Sequence, residues 1–407
     1  MIFDVLTGNN YDPVTGDIKD YKIRKSFRLF FHDYSKTHVL SAEQKKAGEC
    51  ISRCKTGELG YNISYCKECG HTEIHASSCN NRHCPCCQLT LEKKWIAARQ
   101  SELIEGIAYY HVVFTVPQEL NDLIFMNQEL LYNLLMRSAS DSLITLCADK
   151  KYMGALPGIV SVLHTWGQQL NYHPHLHVML SGGGLNRNGN FIETRHKGFI
   201  IPQPVLAKMF RGNYLDLLNK YYESGSLIFK GSCACLENPD EWKSFLDKLY
   251  SKKWLPFLKE TFNGNGNAIE YLARYAFRTA ISNNRITEVT EKEVSFRYTD
   301  YADNNAKKVK TVTGEEFIQL FLQHVLPKGF HRVRFTGYLS NCCKSRNLKH
   351  INRLRGVIYS GNPMTGKNTA ELLLILFHVD LCCCKNCNGR NLTRYRMRYP
   401  PGINVTT

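Results

Sequence analysis

The string His173-Pro174-His175-Leu176-His177 places a histidine at every second position, and this alternation constrains the fold more than any other feature of the chain. In a β-strand, side chains at i and i+2 stand on one face with Cα atoms roughly 6.6 Å apart. His175 and His177 can therefore close on one metal ion from the same side of a sheet. An ion held there would polarise a phosphate.

A second string, Tyr271-Leu272-Ala273-Arg274-Tyr275, follows about a hundred residues later. On a helix each residue turns by roughly 100°. Ile269, Leu272, Ala273, Ala276 and Ala280 then cluster on one side, and Tyr271, Arg274, Tyr275 and Arg278 on the other, at i, i+3, i+4 and i+7. The tyrosines stand off the core stripe. Two phenolic nucleophiles interleaved with two guanidiniums suit a phosphodiester, because arginine forks bind phosphate oxygens and weaken the negative field that repels a phenolate.

Eight of the 17 cysteines lie between Cys50 and Cys87. A long chain without a signal peptide, whose cysteines come in close pairs, reads as metal-binding and not as a disulfide scaffold. Cys66-x2-Cys69 and Cys84-x2-Cys87 are separated by fourteen residues, a spacing at which two knuckles wrap one tetrahedral Zn²⁺ as a ribbon. Cys50, Cys54, Cys79, Cys86, His71, His75 and His83 remain for a second zinc, with Cys54, Cys79 and His83 the preferred partial set. Zinc here would hold a core-poor module together, and the module's function would be binding, not chemistry. The tail carries Cys384-x2-Cys387 beside Cys382 and Cys383, a half signature that leaves a further metal site and plain buried thiols both open.

Lys and Arg number 52 against 36 Asp and Glu, a net charge of +16, and a polyanion is the partner this balance implies. Nucleic acid is the default. The 43% hydrophobic content argues for folded domains and not for a disordered basic tail. No run approaches the roughly 18 apolar residues of a membrane span, and the N-terminus lacks the pattern of a signal peptide, so a soluble cytoplasmic protein is expected.

The spacing of elements predicts an α+β fold with a central antiparallel sheet flanked by helices, preceded by a small cysteine-rich zinc-binding domain. The divisions are a polar, basic arm over 1–45, the zinc-binding domain over 46–100, the catalytic domain with the tyrosine helix over 101–340, and a basic cysteine-containing tail over 341–407. Strands are expected at 108–116, 158–166 and 174–180, the last ended by Gly182-Gly183-Gly184. Helices are expected at 203–222, 239–260 and 267–280, with a hairpin at 294–312. Lys328-Gly329-Phe330-His331-Arg332-Val333-Arg334 reads as a basic strand in which Lys328, Arg332 and Arg334 contact a DNA backbone.

In this order the motifs resemble those of the HUH-superfamily rolling-circle transposases of insertion sequences, in the two-tyrosine branch with an N-terminal zinc-binding domain. The resemblance rests on Cys66-Lys67-Glu68-Cys69-Gly70, Ser78-Cys79-Asn80-Asn81-Arg82-His83-Cys84-Pro85, the histidine string, the tyrosine string with Ile281-Ser282-Asn283, and Leu326-Pro327-Lys328-Gly329-Phe330-His331-Arg332. It implies Mg²⁺- or Mn²⁺-dependent nicking and transfer of single-stranded element ends into a DNA target. Tyr271 and Tyr275 would be the nucleophiles, one of them left joined to a 5′ phosphate. His175 and His177 would be metal ligands. The third ligand stays open among His173, His164, Gln168 and Glu270, with His173 in the expected set although it lies roughly 13 Å from His177 along a strand. Cys86 departs from the family pattern. A zinc-dependent DNA-binding regulator and a catalytically decayed transposase are the alternatives.

Overall fold

The computed structural model of the chain describes residues 21–194, 200–260, 265–277 and 279–398, with the side chains of 265–268, 271 and 274 outside the described set. The helices Lys22–Thr37 and Ala42–Arg53 lead into strands β1 (Tyr61–Cys66) and β2 (Thr72–Ala76), and the helix Leu89–Gln100 leaves that region for β3 (Tyr109–Thr115). The helices Asn121–Met126 and Gln128–Ala148 precede two long strands, β4 (Leu156–Trp166) and β5 (Tyr172–Leu185). After β6 (Phe191–Glu193) come the helices Gln203–Glu223 and Pro239–Ser251, β7 (Phe257–Glu260) and the tyrosine helix Asn265–Phe277. Strands β8 (Ile286–Val289), β9 (Glu293–Asp300) and β10 (Ala306–Thr313) form a meander. The helix Gly314–Leu322, β11 (Val333–Gly337), the helices Lys344–Leu354 and Thr369–Phe377, and β12 (Leu392–Met397) complete the described chain.

The central sheet runs β11-β4-β5-β3-β7 with β6 at the end of β5, and its pairings are antiparallel. The chain is thus α+β, with the histidine strand in the middle of the sheet. Strand parity decides which way the histidines look. Leu176, Val178 and Leu180 join the core built with the helices Gln128–Ala148 and Gln203–Glu223. His175, His177 and Met179 take the opposite face, where Met179, Val160 and Val162 share a core with Ile269, Leu272, Ala273 and Ala276 of the tyrosine helix. The helical period of that apolar stripe presses the tyrosine helix onto the face that carries the histidines.

Several elements differ from the expected ones. Strand β5 runs through Gly182-Gly183-Gly184 instead of ending there, because neighbouring backbone comes too close for a side chain: a Cβ on Gly184 would lie 2.3 Å from the Leu156 carbonyl oxygen, and one on Gly182 2.8 Å from that of Ala108. The helix expected to reach 260 stops at Ser251, and past Pro256, which lacks an N–H, the chain becomes β7 on the edge of the sheet. Residues 22–37 are not a polar arm. Ile23, Phe27, Phe31 and Tyr34 are buried at helical spacing in a second core, with Phe296, Phe317 and Phe321. The basic strand starts later, at Val333, with Lys328 before it. The tail is part of the N-terminal sheet, whose order is β12-β1-β2. Among the described residues no helix is long and apolar enough to cross a membrane.

Candidate active site and metal centres

His175 on β5 stands opposite His164 on β4, and His177 opposite Val162, in the antiparallel register. Ligand nitrogens of His164, His175 and His177 lie within 4.8 Å of one another. His175 Nδ1 donates to the His173 carbonyl at 2.7 Å, which leaves Nε2 as the lone-pair nitrogen, and that atom lies 3.2 Å from His164 Nδ1. On the far side of the cluster, His177 Nδ1 is 3.0 Å from His111 Nε2, contributed by β3. Burial disfavours the imidazolium at every one of these rings. It pushes His175 and His111 down to about 4 and holds His164 and His177 well below the usual histidine range. His164 Nε2 is buried without a hydrogen-bond partner. Three neutral imidazoles, one of them with its tautomer set by a backbone carbonyl, and a buried unsatisfied nitrogen form a donor set that fits a divalent cation.

Tyr275 lies directly on this cluster. Its ring stacks on His177 with centroids 3.5 Å apart and meets His164 edge-on at 5.6 Å. The cluster and the tyrosine open into a cleft of about 840 Å³ whose rim carries Arg285, Arg297 and Lys307 from the β8–β10 meander and the turn before it. Among the described residues lining it there is no carboxylate. A cleft with cations at its mouth and neutral nitrogen donors at its floor can draw in a polyanion while keeping a place for a cation beneath it. Arg297 donates to the Asn284 carbonyl, and Arg285 to those of Arg297 and Gln168, so the rim is braced by backbone.

The third histidine of the cluster is His164, not His173. Along one strand His173 stands two positions beyond His175, whereas His164 is its direct cross-strand neighbour. His173 lines the cleft and supplies its carbonyl to His175. Of the other candidates, Gln168 donates to the Tyr301 hydroxyl and Glu270 is exposed. Tyr271 is on the tyrosine helix, but its side chain, that of Arg274, and Arg278 as a whole lie outside the described residues. Arg332 is engaged inside the protein: it donates to the Ala276 carbonyl at 3.2 Å with its guanidinium 5.8 Å over the Trp166 ring, and burial lowers it to about 10. Arg334 donates to Asn133 and stacks on Phe330, while Lys328 is exposed. The reading of the motifs missed His111 and the rim cations Arg285, Arg297 and Lys307. For His111 the signal was a lone ionisable imidazole inside the otherwise largely apolar strand Tyr109–Thr115.

The two cysteine knuckles do not gather in one set. Cys84 and Cys87 gather with Cys54 and Cys79, while Cys66 and Cys69 gather with Cys384 and Cys387, the sulfurs of each set lying within 4.8 Å of one another. In the first set Cys79 and Cys87 are 3.8 Å apart and the Asn81 N–H points at Cys79 Sγ. Hydrogen bonds from Cys79, Cys84 and Cys87 push the Cys54 thiol far down, the behaviour of a thiolate held among thiols. His83 stays outside: its Nε2 accepts from Arg82 at 3.2 Å, and burial keeps the ring neutral. Cys86 is buried beside the set without joining it.

Comparison with known proteins is consistent with both halves of this arrangement. Residues 26–116 match the family described as "Transposase zinc-binding domain", and residues 158–346 match the one described as "Putative transposase". Over 332 residues the chain is 38% identical to "Putative transposase y4qJ" of Sinorhizobium fredii, which covers 81% of this chain and 83% of that one. It is 28% identical over 341 residues to "Transposase for insertion sequence element IS801" of Pseudomonas savastanoi pv. phaseolicola, covering 83% and 80%. No solved structure matches the chain.

Proposed function

The chain belongs to the insertion-sequence transposases that carry an N-terminal zinc-binding domain, and on that premise we propose that it nicks and rejoins single-stranded DNA at element ends through a 5′-phosphotyrosine intermediate, in the rolling-circle manner. The observation that carries this reading is Tyr275 stacked at 3.5 Å on a cluster of buried neutral histidines at the floor of a cationic cleft. His164, His175 and His177 would hold Mg²⁺ or Mn²⁺, which when bound supplies a Lewis acid for the phosphate oxygens.

The rest is the work of the chain's own groups. Arg285, Arg297 and Lys307 draw the sugar-phosphate backbone into the cleft, and orientation there replaces a bimolecular encounter by a local one. Tyr275 Oη attacks phosphorus: the Oη–P bond forms as the P–O3′ bond breaks, the 3′ oxygen leaves as a hydroxyl with a proton, and the 5′ phosphate remains on tyrosine. Attack on that phosphotyrosine by a 3′ hydroxyl reverses the exchange and rejoins a strand, so no nucleotide hydrolysis is required. Tyr271, one turn earlier on the same helix, serves as the second nucleophile, which lets a second cut follow while the first adduct persists. The Arg332 bond to the Ala276 carbonyl fixes the end of this helix against β4 and so positions Tyr275.

The test is a Mg²⁺- or Mn²⁺-dependent cleavage assay on single-stranded oligonucleotides from the DNA flanking the gene, read on denaturing gels for a covalent protein–DNA adduct. The adduct is expected in the unmodified chain and absent in the Tyr271→Phe/Tyr275→Phe double variant. Specific DNA binding without an adduct under either metal would favour the DNA-binding regulator or the decayed transposase.

A further inference from the structure

Away from the histidine cleft, two short cysteine turns from opposite ends of the sequence meet face to face. In Cys66–His71 the first cysteine's N–H bonds the His71 carbonyl at 2.9 Å, and the Gly70 N–H returns to the Cys66 carbonyl at 2.9 Å. In Cys384–Gly389 the Cys384 N–H bonds the Gly389 carbonyl at 2.9 Å, and the Asn388 N–H returns to the Cys384 carbonyl at 2.9 Å. The residue after the second cysteine is left-handed in both turns, Gly70 at φ +76° and Asn388 at φ +59°. Glycine and asparagine are the residues that accept that conformation. The two turns are thus copies of one device. The Asn386 and Gly389 N–H groups point at Cys384 Sγ and Cys387 Sγ, each at 3.4 Å, and the Asn386 amide reaches Cys69 Sγ at 3.6 Å.

The sulfur geometry is that of a coordination shell. Cys66 Sγ lies 3.7 Å from Cys387 Sγ, and Cys69 Sγ 3.7 Å from Cys384 Sγ. A tetrahedron with Zn–S arms of ~2.3 Å has edges of ~3.8 Å. The turns also interlock outside the sulfurs. The Lys67 N–H donates to the Asn391 carbonyl at 2.9 Å and the Asn391 N–H to Glu68 Oε1 at 3.0 Å, while a Cβ on Gly389 would fall 2.2 Å from Glu68 Oε2.

We propose that Cys66, Cys69, Cys384 and Cys387 bind a second structural Zn²⁺, which clasps the tail of the chain to its N-terminal sheet and completes that sheet with β12. Something besides apolar burial must hold β12 in place. It pairs with β1 from Leu392 to Met397, yet Thr393, Arg394, Tyr395 and Arg396 are exposed. The bare hairpin β1–β2 offers too little apolar surface to recruit a third strand. The cation closes a loop of more than three hundred residues, and it presents the basic strand β12, with Arg394 and Arg396 on one face, on a rigid base.

Cobalt titration of the full chain, followed by the thiolate-to-cobalt charge-transfer absorbance to which imidazole sites do not contribute, tests the assignment. The Cys384→Ser/Cys387→Ser variant is expected to take up one equivalent fewer than the unmodified chain and to be cut by protease before Leu392 where the unmodified chain resists. Equal uptake by the two chains overturns the proposal, as does an intact mass showing a Cys66–Cys387 or Cys69–Cys384 disulfide in the unmodified chain. Should the variant misfold, the unmodified chain decides alone: two equivalents with tetrathiolate spectra are expected, and one overturns the clasp.

Discussion

His111 belongs to no motif, yet its Nε2 lies 3.0 Å from His177 Nδ1 and so determines which nitrogen of His177 faces the cluster. A histidine that orients a metal-binding histidine typically changes metal affinity ~10–100-fold when removed. His111→Phe, which keeps a ring of similar bulk, should raise by about that factor the Mn²⁺ concentration giving half-maximal adduct. An unchanged requirement would reduce His111 to packing. His164→Ala should abolish adduct formation, whereas His173→Ala should retain most of it, because His175 uses the backbone carbonyl of His173 and not its ring. His324 tests the electrostatics by itself. Buried, bonded to Thr165 Oγ1 and near the Leu170 carbonyl, it is pushed down to about 3. An unfolded histidine titrates near ~6.5, so between these values the unfolded chain binds more protons and stability falls as pH drops. At about pH 5 the loss from this one ring is ~2 kcal/mol. Urea midpoints at neutral and acid pH should therefore differ less in His324→Gln than in the unmodified chain.

At the scale of elements, the tyrosine helix shows what local sequence carries. The stripe of Ile269, Leu272, Ala273 and Ala276 is buried as its 3.6-residue period requires, and Tyr275 stands off it because helix geometry is set within a few residues. The identity of the third histidine was not legible in the same way. His164 and His175 meet through the β4–β5 register, which depends on a connection and a bulge between His164 and Trp166 and not on either strand's own sequence. The cysteines divide in the same way: the sequence already puts Cys54 with Cys79, but that Cys84 and Cys87 complete their set while Cys66 and Cys69 find Cys384 and Cys387 comes from tertiary closure that no spacing rule encodes. Position on an element also divides the basic residues into two kinds. Arg332 is spent on the Ala276 carbonyl and the Trp166 ring, whereas Arg297 and Lys307 stand at the cleft mouth. Arg297→Gln should lower the salt dependence of single-strand binding by ~0.7 in logarithmic slope per lost phosphate contact. Arg332→Met should leave that slope alone and slow adduct formation at saturating DNA. Equal effects of both on the slope would return Arg332 to the DNA interface. Gly184→Ala should destabilise the chain by ~1–3 kcal/mol in urea unfolding, since the added methyl meets the Leu156 carbonyl between two central strands.

At the scale of the whole molecule, the zinc-binding region is not a bead tethered to a nuclease. Cys54, Cys84 and Cys86 share one core with Trp166, Leu170, Ala280 and Ile281, which flank the cleft and follow the tyrosine helix. Arg82, within the cysteine segment, donates to the carbonyls of Phe330 at 2.6 Å and Pro327 at 2.9 Å, just ahead of Arg332. Loosening the Cys54, Cys79, Cys84 and Cys87 set must therefore disturb the wall of the histidine cleft as well as any surface the domain offers to DNA. A separate binding module would behave otherwise: losing it would weaken affinity and leave the chemical step intact once DNA saturates the protein. The Cys79→Ser/Cys87→Ser variant separates these cases when its adduct-formation rate is measured at saturating oligonucleotide with Mn²⁺ in excess. Shared packing predicts a rate at least ~10-fold below that of the unmodified chain, the effect of a shift of about 1.4 kcal/mol at the reacting geometry, together with weaker binding. A normal saturated rate with weakened binding would mean that the two regions meet without mechanical consequence, and that zinc in this chain serves recognition alone.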